Sequence, residues 1–271
     1  EVILISGKGD DAADWSEVLD PADPVRGARY DLLLAGQGRL RRSASAVFPS
    51  VARFTRVCAY DRPGTRIGGH DTSTPVAQPH PLSQDVRDLS RLLTAAHEAG
   101  PYVLVANSYG GLIALLYART HAGEIAGLVM VDGATERMRE VLGPAKLARW
   151  DASNRVSSPA IPEAVELADA FETIGAAPPV PLCPAVVLSA GKPWPPAPPD
   201  PPGSARGDAS ATFADWQAAQ DLLAASLKAR HVTVPTSGHA MYLYEPQLVA
   251  DAIRDTVREA RRNASTAPGP R

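Results

Sequence analysis

The 271-residue chain is 45% apolar and 21% charged, which is enough apolar material for the core of one large domain without disulfide or metal staples. A formal net charge of −3 supplies no field to gather nucleic acid or an anionic membrane, and two cysteines, Cys58 and Cys183, exclude a disulfide scaffold and a thiolate metal cluster. No apolar run approaches the ~18 residues of a membrane span, the six histidines lie singly without an HExxH-type pair, and no signal-peptide pattern opens the sequence.

The first element is a strand, Val2-Ile3-Leu4-Ile5, a continuously apolar run of the kind buried on both faces of a parallel sheet, ended by Ser6-Gly7-Lys8-Gly9. An irregular stretch follows to about residue 52. The second strand is Arg56-Val57-Cys58-Ala59-Tyr60, stopped by the turn signal Asp61-Arg62-Pro63-Gly64. Ser83 reads as the N-cap of a helix carrying Val86, Leu89, Leu92 and Leu93 at helical spacing up to Gly100. Next come the strand Tyr102-Val103-Leu104-Val105-Ala106, an apolar helix over 112–120, and the strand Leu128-Val129-Met130-Val131 ending at Asp132. Residues 134–182 break the alternation, with amphipathic helices marked by Met138, Val141, Leu142 and Trp150, then by Val165, Ala168, Phe171 and Ile174.

Eleven of the 25 residues over 178–202 are proline, a density that reads as loop or polyproline-like connector around the short strand Ala185-Val186-Val187-Leu188. A helix over 213–228, the strand His231-Val232-Thr233-Val234 and a helix over 246–261 complete the pattern. Strands alternating with helices predict an α/β fold, a mostly parallel sheet wrapped on both faces. The core is expected at 1–133 and 183–262, a helical insertion at 134–182, and a disordered tail at 263–271.

Ala106-Asn107-Ser108-Tyr109-Gly110 sits where a strand gives way to a helix and matches the nucleophile elbow G-x-S-x-G with alanine first. Such a turn is tight and strained, so its flanking residues must be small, and it lifts a hydroxyl beyond the carboxyl ends of the strands. A serine hydroxyl needs a base. His239, in Thr236-Ser237-Gly238-His239 after the last strand, lies on the same rim. His97 and His121 read as solvent-facing, His231 opens a strand at the opposite end, and His70 and His80 belong to a loop.

These features resemble the α/β-hydrolase superfamily of serine hydrolases over nearly the whole chain, through Tyr60-Asp61-Arg62-Pro63-Gly64, the elbow at Ser108, the segment 128–132, and Gly238-His239 followed by Glu245-Pro246. The resemblance implies a nucleophile, acid, histidine order. It also implies a β-hairpin and its strands ahead of Val2, so a shortened or processed start, or a departure in the fold, is expected. The acid that many relatives carry in a G-x-x-D loop is missing, since this loop reads Gly191-Lys192-Pro193-Trp194. Asp132, at a position some relatives use, is the first choice, and Asp208 and Asp200 stay open. The resemblance assigns the oxyanion hole to the backbone N–H groups of Tyr109 and Lys8, with the Lys8 ammonium left in solvent and Gly7 leaving room for substrate. It makes the insertion a lid whose Met138, Leu142, Trp150 and Phe171 would line a hydrophobic substrate site. Asn107 replaces the histidine often found before the nucleophile.

The expected activity is cleavage of an ester or related acyl bond through an acyl-Ser108 intermediate, with no metal and no cofactor. The alternative is a silent or receptor-like ligand binder on the same fold. A small-molecule substrate, no nucleic acid, no membrane span, a monomer or homodimer, and either a cytoplasmic or a processed secreted form complete the expectations.

Overall fold

The computed structural model describes residues 1–67, 71–159, 161–196 and 211–266. In chain order the elements are β1 (Val2–Ile5), β2 (Glu17–Leu19), β3 (Leu40–Arg42), α1 (Val47–Ala52), β4 (Val57–Ala59), β5 (Arg66–Ile67) and β6 (Asp71–Thr72). Then follow α2 (Leu82–Ala95), β7 (Tyr102–Ser108), α3 (Gly110–Thr120), β8 (Ile125–Gly133), α4 (Met138–Asn154) and α5 (Leu167–Ala176). The last are β9 (Ala185–Ala190), α6 (Phe213–Leu227), β10 (Arg230–Val234), α7 (Met241–Tyr244) and α8 (Pro246–Thr266).

The apolar runs form a six-stranded sheet in the order β10-β9-β8-β7-β1-β4, with every neighbouring pair parallel. Successive side chains point to opposite faces of a strand, and both faces here are covered. Ile3, Ile5, Leu104, Ala106, Leu128 and Met130 pack with α2, α3 and α6, while Val2, Leu4, Val103, Val105, Val129 and Val131 pack with α1 and α8. The chain leaves β1 for β4 on one side and returns through β7 on the other. This makes the β1–β7 boundary the point where strand order reverses, the place where open parallel sheets bind ligands.

The structure differs from the sequence reading at several places. The stretch before residue 52 is built from the antiparallel pair β2–β3, two 3-10 turns and α1, elements too short to show a period. Helix α2 begins at Leu82 with Pro81 in the cap position, so Ser83 lies inside the first turn. α4 is broken at Gly143 (φ 68°) ahead of Pro144, and it packs with α5 onto α3 and α6. Helix α8 runs on to Thr266, where a disordered tail from 263 was expected: the i→i−4 ladder continues, and Ser265 and Thr266 donate their hydroxyls back to the Arg262 carbonyl. Residues 267–271 lie outside the described part. No helix among the described residues is long and apolar enough to cross a membrane.

Candidate active site

Ser108 ends β7 with φ 49°, a left-handed conformation that costs an L-residue ~1–2 kcal/mol. Its neighbours hold it there. A Cβ on Gly110 would collide with the carbonyl oxygens of Ile5 and Ser6, and one on Gly111 would lie 2.5 Å from the Ala134 oxygen, so α3 can start this close to the strands only through glycine. The rest of β7 is buried, whereas Ser108 itself is partly exposed. Because α3 starts immediately afterwards, its first N–H groups have no intrahelical acceptors and face the same rim.

Asp132 is aimed by a bulge. The β7–β8 register pairs Asn107 with Val131 and then Ser108 with Gly133, so Asp132 is skipped, and its φ of 47° turns the side chain out of the ladder. Its Oδ2 lies 2.6 Å from His239 Nδ1, and its Oδ1 accepts the Ala190 N–H at 3.0 Å. Asp132 is fully buried, while the His239 side chain keeps 17% of its surface exposed. Burial opposes a charged imidazole, but the hydrogen bond and charge of Asp132, with Asp31 and Asp10 behind them, outweigh it and hold His239 above its ordinary value.

The His239 main chain is tied as well. Its N–H donates to Asp31 Oδ2 at 2.6 Å, and its carbonyl accepts from Asn107 Nδ2 at 3.1 Å, which also reaches the Val131 carbonyl at 2.7 Å. Asn107 therefore links the residue before Ser108, the end of β8 and the histidine loop. Among the described residues no hydrogen bond joins Ser108 to His239, and such bonds are often long before a substrate binds.

The loop after β1 forms the other wall. A Cβ on Gly7 would lie 3.0 Å from Ser108 Cβ and 2.6 Å from Asp10 Oδ2, so the glycine lets the backbone pass against the serine. Arg62, 1% exposed, donates to the Ser6 carbonyl at 2.7 Å and the Gly7 carbonyl at 2.5 Å, and pairs with both carboxylate oxygens of Glu163 at 2.9 Å. Glu163 also accepts the Gly9 N–H at 2.6 Å. The Lys8 ammonium, expected in solvent, instead donates to the Asn154 carbonyl at 2.9 Å, because the last carbonyls of α4, which have no intrahelical donors, lie within its reach. Burial lowers the Lys8 pKa, with Glu163 opposing.

Of the residues proposed to line a substrate site, Met138 and Phe171 are wholly buried between the insertion and the helices beneath it, and Leu142 nearly so. Trp150 is partly exposed and meets Trp216 edge-on at 6.4 Å between ring centroids. Trp216 stands edge-on to His239 at 5.3 Å and contacts Trp194 at 5.9 Å, and these two extend from Trp150 an aromatic wall of which sequence reading had only Trp150. The Tyr109 hydroxyl is held by Asp85 at 2.5 Å beneath the Arg62 guanidinium. Asp200, Asp208 and His70 lie outside the described residues, and His80 bonds Asp88 at 3.0 Å.

Two features lie far from this rim. Glu1, Cys58 and Glu98 could bring three ligand atoms within 4.8 Å of one another, but Arg56 already bonds both carboxylates. A cleft of about 570 Å³ at the amino ends of β9 and β10 is lined by Leu182, Cys183, Lys228, Arg230, Asp255 and Glu259, none of them a site residue. Both cysteines are free.

The chain is 35% identical over 95 residues to an uncharacterized protein of Schizosaccharomyces pombe, a match covering 35% of this chain and 17% of that protein, so the chain corresponds to a small part of this relative's length. It is similar in structure to a probable hydrolytic enzyme of Pseudomonas aeruginosa PAO1, with TM-score 0.54, 17% identity, and 94% of this chain and 84% of that one covered. A thermophilic esterase of Thermogutta terrifontis matches with TM-score 0.52 and 18% identity over 96% of this chain and 89% of that one. Residues 2–252, which carry the sheet, the elbow and the histidine loop, match the alpha/beta hydrolase family, and the chain belongs to that family.

Proposed function

We propose that the protein is a serine hydrolase cleaving an ester or related acyl bond of a hydrophobic small molecule. The observation that carries this reading is the 2.6 Å contact between His239 Nδ1 and a fully buried Asp132, on the same rim as a strained, solvent-reachable Ser108. In this scheme Ser108 Oγ attacks the carbonyl carbon and its proton passes to His239 Nε2. Asp132 fixes the tautomer and stabilises the imidazolium. The N–H groups of Tyr109 and Lys8 receive the oxyanion. Collapse expels the alcohol with the proton from His239, and water, activated by the same ring, releases the acid from Ser108.

The aromatic wall of Trp150, Trp194 and Trp216 supports an apolar substrate, with 134–182 as its cap. Intact-mass labelling with a fluorophosphonate tests the reading. One adduct on the wild type, abolished in Ser108→Ala and His239→Ala, is expected. Absence of any adduct on folded wild-type protein would sink it and favour a ligand-binding role.

A further inference from the structure

Asp31 comes from the stretch between the 3-10 turn at Pro24–Gly27 and β3, a region with no sequence link to the elbow or to the histidine loop. It is fully buried. Its Oδ2 accepts the His239 N–H at 2.6 Å, and its Oδ1 accepts the Tyr244 hydroxyl at 2.9 Å and, more weakly, the Leu34 N–H at 3.4 Å. Its own N–H donates to the Pro193 carbonyl at 2.9 Å, inside the loop 191–194 that holds no carboxylate. Residue 238 must be glycine for this packing, because a Cβ there would fall within the Asp31 carboxyl group. A buried carboxylate lacking donors would be strongly destabilising, and here the donors are the histidine backbone and a tyrosine that itself belongs to α7.

We propose that Asp31 is a positioning residue for His239: its carboxylate anchors the histidine backbone and places a second negative charge behind the ring, beside the one Asp132 puts on Nδ1. The inference rests on reading His239 as the base. With it, His239 is held at three points: its N–H by Asp31, its carbonyl by Asn107 and its ring by Asp132. The ionisable groups facing His239 are Asp132 from β8, Asp31, and Asp10 from the loop after β1, and Asp31 itself faces Tyr244 and the Lys192 ammonium. That ammonium is occupied by the Val25 and Arg26 carbonyls, the latter at 2.5 Å, and lies 5.1 Å over the Tyr244 ring. Asp31 contributes to holding the His239 pKa up, after burial and the Asp132 contact.

The test combines NMR titration of His239, identified by its loss in His239→Ala, with fluorophosphonate labelling against pH. Asp31→Asn keeps an acceptor and removes the charge; Asp31→Ser does the same with a smaller group; Tyr244→Phe keeps the charge and removes one donor. The expected result is a His239 midpoint lowered by at least about half a pH unit in the Asp31 variants, labelling at pH 7 slowed about 10-fold or more, and no downward shift in Tyr244→Phe. An unchanged midpoint in a folded Asp31 variant overturns the proposal. So does loss of folding in both Asp31 variants alongside a folded, unshifted Tyr244→Phe, because the role is then structural. If the wild type takes no label, the hydrolase reading fails, and the titration still decides whether Asp31 governs His239.

Discussion

Arg62 and Glu163 give a prediction whose size follows from their surroundings. The pair is buried, at 1% and 6% side-chain exposure, and Arg62 spends its remaining donors on the carbonyls of Ser6 and Gly7. Arg62→Met leaves the Glu163 carboxylate buried with the Gly9 N–H as its remaining hydrogen-bond donor among the described residues, and the Ser6 and Gly7 carbonyls each lose one donor. Removing one member of a buried pair costs ~3–5 kcal/mol, which for a protein of this size is a fall in Tm of ~10 °C.

Glu163→Gln keeps one oxygen to accept from Arg62 Nη2 and Gly9 but turns its NH2 toward Arg62 Nε and leaves the guanidinium buried without a counter-charge, so ~3 kcal/mol is expected here too. The double variant Arg62→Met, Glu163→Leu holds no buried charge and should lose less than Arg62→Met alone. Urea unfolding of the three variants measures this. A loss below about 1 kcal/mol in Arg62→Met, or a double variant no more stable than Arg62→Met, would refute the reasoning. Labelling of the folded Arg62 variant should also slow, because the carbonyls of Ser6 and Gly7 are what Arg62 grips to hold the proposed oxyanion loop in register with Ser108.

Asp132→Asn should slow fluorophosphonate labelling by ~10³–10⁴-fold with the fold retained, because the amide disfavours the tautomer that activates Ser108; an unaffected rate would remove Asp132 from the mechanism. Gly110→Ala should cost ~1–3 kcal/mol in denaturant unfolding, since its new Cβ meets backbone oxygens of β1 and the following residue that cannot give way. Asp14 is pushed up to about 7, by burial first and then by Asp10. Its folded pKa lies above the unfolded value of ~3.9, so stability is fully present below that value and falls as pH rises through about 7. Asp14→Asn should flatten the decline in Tm between those limits, and an identical Tm–pH curve would count against the assignment.

The sheet and the elbow were legible because their signals are local. Continuous apolar runs such as 102–106 are what a doubly covered strand requires, and the small residues around Ser108 answer to the tightness of one turn. The aim of Asp132 at His239 was not legible, because it comes from a slip in the β7–β8 register, a property of two strands together. Asp31, Arg62 and Glu163 were invisible as site supports for a related reason. Each acts through hydrogen bonds to chain more than 50 residues away, and the elements carrying Asp31 are too short to display a period. Trp216 is one aromatic within the helix over 213–228, and only tertiary packing sets its edge against His239.

The bulge at Asp132 also divides the site mechanically. Ser108 and Asp132 ride on adjacent strands of one ladder, where Ser108 is paired with the residue immediately after Asp132, so a tilt of that strand pair carries the proposed nucleophile and acid together and preserves their spacing. His239 instead hangs from a loop, and any error in the alignment of the three groups enters through that one suspension. A change in the tethers of the histidine loop, Asp31 and Asn107 among them, therefore detunes the site at once.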